Sequence, residues 1–402
     1  MLRSVPQVGV PQVGAPESGV PEVGVPQDGA PPSEPPPAVA LAFAGWRLAA
    51  LQAALEARGV RRTRAAAAVG ELARAYHKLG LPWPQVLAAA AKSLQPELAA
   101  LCAPEPVLEI TEQALAADGT RRLLLRLGDG EVIETVLLRS TTGVDRTTVC
   151  LSSQAGCARR CAFCETGRLG LRRSLTAAEI VLQFRTVHHL WQGLRGALPP
   201  LTNVVFMGMG EPLDNLDAVA DACAVLQDDR AYGLSWRRMT VSTVGVASQI
   251  PAFFQEVRAH LAVSLNAPDD ARRSRLMPIN RATGLAELKA ALLAALPPGR
   301  DVLVEYVLFG GFNDALGDAD LLRAWLQGLP VRLNLIPANP GPDPSLRTPD
   351  SLQVRAFQQR LLDAGVRAMV RWPHGREVGG ACGQLAGARR GRVSAAIGPV
   401  AT

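Results

Sequence analysis

Four of the chain's seven cysteines fall within CLSSQAGCARRCAFC, from Cys150 to Cys164. Cys157, Cys161 and Cys164 are spaced C-x3-C-x2-C, and Cys150 stands seven residues upstream. A structural zinc takes four ligands, and an iron–sulfur cluster is usually held by four thiolates. Three close thiolates therefore point to a cluster that keeps one coordination position for a small molecule. Cys382, in GGACGQL, lies 232 residues after Cys150. For each of these two, a small buried hydrophobe and a working thiol are both open readings. Cys102 and Cys223 read as buried hydrophobes.

Other polar residues fall where a cofactor beside that loop needs them. GMGEP (Gly208 to Pro212) makes Gly210 and Glu211 candidates to meet an amino group; a plain strand-to-helix turn is the alternative. Ser242 ends RMTVST, Ser264, Leu265 and Asn266 end LAVSLN, and Asn339 follows NLIPA. Singly each is a weak signal. Together they converge if their segments are neighbouring strands of one barrel, whose active site lies at the C-terminal strand ends.

The surrounding pattern supplies those strands. After Val144, apolar runs near TTVCL, NVVFMG, RMTVST, LAVSLN, DVLVEYVLF, VRLNLIP and VRAMVRW alternate with helical stretches such as TAAEIVLQFRTVHHL and LDAVADACAVLQ. Thr176 and Glu179 form a capping box at the first helix. Alternation of this kind predicts an α/β fold with a parallel sheet, a partial (β/α) barrel over 145–387. The long helical stretch before DVLVEYVLF divides into two pieces. Residues 39–103 predict a small helical domain. Residues 104–144, with ADGT and GDGE turns, predict a short antiparallel β unit. Residues 1–38 repeat a Pro/Gly pentad that buries no core and read as a disordered tail; 388–402 form a basic tail.

Hydrophobic residues make up 48% of the 402 and charged residues 19%, with a net charge of +6. This balance permits an RNA partner without demonstrating one. Arg159, Arg160, Arg168, Arg172 and Arg173 flank the cysteine loop, and Arg389, Arg390 and Arg392 follow GGACGQL. Phosphate contacts and a solvated loop explain them equally well. No apolar run approaches the ~20 residues of a spanning helix, and MLRSVPQVGV has no secretory apolar region. A soluble, cytoplasmic protein with reduced thiols is expected, without membrane contact.

C-x3-C-x2-C with Phe163 before the last cysteine resembles the motif of radical S-adenosylmethionine (SAM) enzymes. With GMGEPLDN, LMPIN, EYVLFGGFND, NLIPANP and ACGQL in that order, residues 130–387 resemble the RlmN/Cfr family of radical-SAM RNA adenine methyltransferases. The resemblance implies a [4Fe–4S] cluster on Cys157, Cys161 and Cys164. It implies SAM bound by Gly210, Glu211, Ser242, Ser264, Leu265, Asn266 and Asn339. It implies that Cys382 accepts a methyl group, that a deoxyadenosyl radical activates that methyl for addition to adenine, and that Cys150 releases the product by disulfide formation. Glu134 matches a carboxylate assigned a proton-accepting role. The helical domain would contact RNA.

The implied reaction is methylation of adenosine ring carbon 2 in 23S rRNA near the peptidyl-transferase centre, with tRNA as a further substrate. The enzyme would be a monomer served by an electron donor such as flavodoxin. Its rivals are methylation at ring carbon 8, a radical-SAM enzyme acting on a peptide or small molecule, and a non-catalytic RNA-binding metal protein. Departures from the family pattern are Asn266 in place of His, Ala338 in place of Trp, Gly379-Gly380 before ACGQL, and E-T-G after Cys164. These bear on regiochemistry and RNA seating.

Overall fold

The structure, a computed structural model, describes residues 41–140, 146–194, 196 and 198–385. The pentad repeats, Arg389, Arg390 and Arg392 lie outside the described residues. The antiparallel unit consists of β1 (Leu108–Leu115), β2 (Arg121–Leu127) and β3 (Val132–Arg139). Asp118 and Asp129 shape its turns by accepting from the amides of Thr120 at 2.9 Å and Glu131 at 3.0 Å. β3 then pairs antiparallel with β4 (Thr147–Cys150), so one sheet runs across the boundary drawn from sequence. An uncovered edge of β4 would leave a row of unpaired backbone groups.

From β4 onward every pairing in this sheet is parallel: β5 (Leu201–Phe206), β6 (Met239–Thr243), β7 (His260–Ser264), β8 (Val302–Leu308), β9 (Val331–Pro337) and β10 (Ala368–Val370). The ten strands lie in chain order, with β1 and β10 at the edges. The seven parallel strands form the partial (β/α) barrel. They read as apolar runs because helices cover one face while the other closes on the interior; Val149, Val204, Val241, Val263, Val304 and Leu333 are fully buried.

The N-terminal helices are α1 (Leu48–Ala57), α2 (Arg62–Ala73), α3 (Trp83–Ala89) and α4 (Gln95–Leu101). Those after β4 are α5 (Glu165–Leu169), α6 (Ala177–Gly193), α7 (Leu216–Gln227), α8 (Ile250–Glu256), α9 (Asp270–Leu276), α10 (Leu285–Ala295), α11 (Leu316–Leu326) and α12 (Ser351–Asp363). The capping box opens α6: the Glu179 amide donates to Thr176 Oγ1 at 3.2 Å, and the Thr176 amide to Glu179 Oε2 at 2.9 Å. The long stretch before β8 is indeed two helices, since α9 ends just before Pro278, whose ring cannot continue it.

The N-terminal helices pack rings among themselves and dock on α6 and on the loop after α7. Phe43 stacks on Trp83 at 4.6 Å, and His77 meets Tyr232 at 5.1 Å. Arg185 of α6 lies over Tyr76 at 4.1 Å and donates to the carbonyls of Gly80 and Leu81. Among the described residues no helix is long and apolar enough to cross a membrane.

Candidate active site

The cysteine loop sits inside a small hairpin, Gln154–Gly156 against Leu171–Ser174. Gly156 has φ +77°, and a Cβ there would stand 1.8 Å from the Gly170 carbonyl, so only glycine fits. The loop is pinned on three sides. The Cys157 amide donates to Gly170 at 3.0 Å, the Ala162 amide to Leu276 at 2.8 Å and the Glu165 amide to Gly383 at 2.9 Å. Thr166 Oγ1 adds a bond to the Leu385 carbonyl at 2.7 Å, and Gly167 backs closely onto Cys161. The departure E-T-G thus fastens the cysteine loop to the Cys382 segment.

Cys157 and Cys161 are buried and Cys164 is half-buried. Burial pushes Cys157 up to about 12 and Cys161 and Cys164 upward, and for Cys157 and Cys161 neighbouring thiols of the set add to the shift. Three such thiols cannot all ionise without a cationic partner. Among the described residues, no three His, Cys, Asp or Glu converge as ligands of one metal ion. In an iron–sulfur cluster each thiolate binds its own iron, so convergence on one point is not needed.

GMGEP turns sharply after β5. Gly210 has φ +104°, and a Cβ there would lie 2.7 Å from the Gln154 amide and Ser153 Oγ. The turn buries Glu211, whose Oε1 accepts from the Leu213 amide at 3.0 Å and whose Oε2 accepts from the Val244 amide at 2.8 Å. Burial still raises its carboxyl to about 7. A bound cation would restore the ionised form.

Glu211, Gly210, Ser242, Ser264, Asn266, Asn339, Cys164 and Cys382 line one cavity at the C-terminal strand ends. Leu265 does not: its side chain is buried in the core, and its carbonyl accepts from Arg273 Nε at 3.1 Å. Asn266 adopts φ +60°, a conformation asparagine tolerates better than most residues, and its Oδ1 caps the Val307 amide at 3.0 Å. Asn313 of the GGFND turn donates to the Asn266 and Val307 carbonyls at 2.8 and 2.7 Å.

Two side chains were not foreseen. Arg273 is fully buried and bonds the carbonyls of Val244, Ser264 and Leu265 and the Asn280 side chain, tying the ends of β6 and β7 together. Desolvation lowers it to about 10. Glu305, inside the quoted EYVLFGGFND, projects from β8 into the cavity between Ser264 and Asn334 in register. Its sequence signal was a charge in the middle of an apolar strand.

Cys150 and Cys382 arrive from opposite ends of the barrel. Cys150 is buried at the end of β4, and the proximity of Cys382 adds to the upward push of burial on its thiol. Cys382 is exposed and lines the cavity. Burial first and the Glu305 carboxylate second push its thiol up to about 12. Both cysteines are free thiols. Glu134 is fully buried on β3, 3.4 Å from Arg122, and does not line the cavity. It shares a strand face with Val136, which approaches Gly380 of the Cys382 segment.

Of the loop arginines, Arg159 pairs with Asp214, and Arg173 with Glu179 and Asp129. Those two brace the site. Arg160, Arg168 and Arg172 are exposed and make no ion pair among the described residues.

Residues 151–320 match the Radical SAM superfamily. A probable RNA methyltransferase of Sorangium cellulosum is 58% identical over 71% of this chain and 71% of its own length. The dual-specificity RNA methyltransferase RlmN of Marinobacter nauticus is 39% identical over 85% of this chain and 92% of its own. The chain belongs to the RlmN-type radical-SAM RNA methyltransferases. The crystal structure of a radical SAM methyltransferase from Sphaerobacter thermophilus superposes with a TM-score of 0.75 at 37% identity, covering 86% of this chain and 99% of that one.

An RlmN-type enzyme uses a [4Fe–4S] cluster and SAM, and the residues present fit both. The crowded thiols Cys157, Cys161 and Cys164 form a donor set whose ionisation the irons of a cluster would favour. Cys164 also lines the cavity that contains the buried Glu211 carboxylate, whose ionised form a cationic amino group would favour. Bound together, the two cofactors supply a carbon radical and an electrophilic methyl group.

Proposed function

We propose that this enzyme methylates ring carbon 2 of an adenosine in 23S rRNA near the peptidyl-transferase centre, with tRNA adenosine as a second substrate, through a methyl group carried on Cys382. The observation that carries this reading is the proximity of two free thiols, the buried Cys150 and Cys382, the second of which lines the cavity bordered by the cluster loop. A peptide-modifying or small-molecule radical enzyme has no use for such a pair.

In this reading Cys157, Cys161 and Cys164 hold the cluster. Glu211 receives the cationic amino group of SAM, with Gly210 giving backbone access and Ser242, Ser264 and Asn266 offering polar contacts around it. Leu265 contributes through its backbone. Asn339 acts on the other side, where its side chain bonds the Cys382 carbonyl. Cys382 carries the methyl group, and Cys150 attacks its sulfur to free the product. Glu134, held by Arg122, serves as a proton acceptor on the Cys382 side. Exposed Arg160, Arg168 and Arg172, with the N-terminal helices, hold RNA phosphates while one base enters the cavity. The enzyme works as a cytoplasmic monomer supplied with electrons by a flavodoxin-like donor.

The test is anaerobic reconstitution with SAM, a reductant and an rRNA fragment, followed by nucleoside mass spectrometry. Wild type should yield 2-methyladenosine and Cys382→Ala none. Appearance of 8-methyladenosine would move the assignment to the other ring carbon. Absence of both methyladenosines would refute the reading.

A further inference from the structure

Two carboxylates line the cavity, Glu211 and Glu305. Both oxygens of Glu211 are engaged by backbone amides. Glu134, whose family counterpart has the proton-accepting role, lies outside the cavity lining beside Arg122. Glu305 is therefore the carboxylate that shares the cavity with Cys382 and, among the described residues, has both oxygens free of backbone amides. It is held from one side by Asn334, buried on β9, which bonds the carboxylate; the Asn334 Oδ1 has no partner among the described residues. Cys382 and Cys150 both feel its charge.

We propose that Glu305 is the proton acceptor for the Cys382 thiol when that sulfur becomes a nucleophile. The inference rests on the reading of Cys382 as methyl carrier. The step balances simply. The S–H bond breaks, its electron pair forms the new S–C bond, the thiol proton goes to the Glu305 carboxylate, and the leaving group departs with the electron pair of the bond it loses. For the methyl donor that leaving group is the neutral thioether of S-adenosylhomocysteine.

The charged and titratable groups facing Glu305 are Cys382 from the last loop, Cys150 from β4 and Arg371 directly after β10, with Arg146 and Arg332 standing beyond Arg371. Burial raises the Glu305 carboxyl to about 7, opposed by Arg371 and by the Asn334 bond. A carboxyl in that range is matched to acid–base work at neutral pH, and such groups typically contribute about 10²–10⁴-fold. As a bystander, the same carboxylate would only repel a thiolate and slow its formation. The two roles predict opposite effects of removing it.

The experiment uses cluster-loaded protein without SAM and iodoacetamide as the electrophile, with alkylation of the Cys382 peptide followed by mass spectrometry from about pH 5.5 to about pH 9. Wild type should climb with pH and level off near pH 7. Glu305→Gln should be at least ~10-fold slower at neutral pH and show no levelling, while Glu305→Asp should retain it. Asn334→Leu, which removes the bond favouring the ionised carboxyl, should move the levelling to higher pH and keeps the proposal testable if Glu305→Gln does not fold. Alkylation of Glu305→Gln as fast as wild type or faster, or a levelling that ignores Asn334→Leu, would overturn the proposal. Alkylation does not require that Cys382 ever carry a methyl group, so failure of the methyl-carrier reading would register separately.

Discussion

The side-chain amide of Asn339 donates to the Cys382 carbonyl at 3.1 Å, and its oxygen accepts from Arg376 Nε at 2.7 Å. The end of β9 thereby positions the loop that carries the cysteine. Asn339→Ala removes both bonds, one neutral and one donated by a guanidinium, together worth on the order of 2–4 kcal/mol, so the melting temperature should fall measurably. The loop also loses its orientation, and methyl transfer depends on orientation. We expect methyl occupancy of Cys382, read as a mass increment on its peptide, to form ~10-fold more slowly. Unchanged methylation kinetics would show that the Asn339 bond does not matter.

Gly210→Ala tests the GMGEP turn. At φ +104° an alanine is strained, and its Cβ would collide with the Gln154 backbone nitrogen as well as with the Ser153 hydroxyl. The strain alone costs on the order of 1–3 kcal/mol. The variant should melt lower and lose SAM affinity, because relief requires the Glu211 carboxylate to move. Equilibrium dialysis against labelled SAM would read the loss. Wild-type affinity would mean that the turn relaxes without shifting Glu211.

Much of this site was legible because its parts are local. The thiol spacing, the Thr176–Glu179 capping box and the apolar parallel strands each announce themselves within a few residues. What stayed hidden depends on neighbours distant in sequence. Arg273 looked like one arginine among several in DDARRSRL, yet its partners come from the ends of two strands. Glu305 acquires meaning only from its register with Ser264 and Asn334. Arg159 and Arg173 offered phosphate contact as one of two readings, but each is paired with carboxylates outside the cysteine loop. A charge in a sequence does not reveal whether its partner is another part of the fold.

Cluster loading separates the roles of the cysteines. Cys161→Ala should lose most bound iron and sulfide, since two thiolates leave two of the four irons without a protein ligand. Cys382→Ala and Cys150→Ala should keep wild-type iron because neither belongs to the donor set. Metal and sulfide analysis of anaerobically reconstituted protein checks both expectations. Iron lost from Cys150→Ala would make Cys150 a fourth ligand and undo its assignment as the resolving thiol.

Arg273→Met should destabilise the site more than any other substitution considered above. It leaves the carbonyls of Val244, Ser264 and Leu265 without their buried donor, and each buried acceptor left unpaired costs about 1–3 kcal/mol. Arg273→Lys should recover only part, since an ammonium cannot reproduce the spread of a guanidinium. Urea unfolding of the three proteins gives the ranking, and equal midpoints for wild type and Arg273→Met would refute it.

The docking of the N-terminal helices supplies a pH dependence. His77 is fully buried, stacked on Phe43 and in edge contact with Tyr232, and desolvation with the nearby Arg185 lowers its pKa to about 3. The unfolded chain, with His77 near 6.5, binds this proton more readily, so the contribution is fully present above pH 6.5 and declines as pH falls toward 3. Between pH 7 and pH 5 the loss should be about 2 kcal/mol. Glu211 and Glu305, whose carboxyls are raised toward 7, act with the opposite sign, so the His77 term must be isolated by difference. His77→Phe keeps the ring contacts and removes the titration; its urea midpoint should fall less than that of wild type between these two pH values. Parallel falls in the two proteins would mean that His77 takes up a proton without breaking the interface.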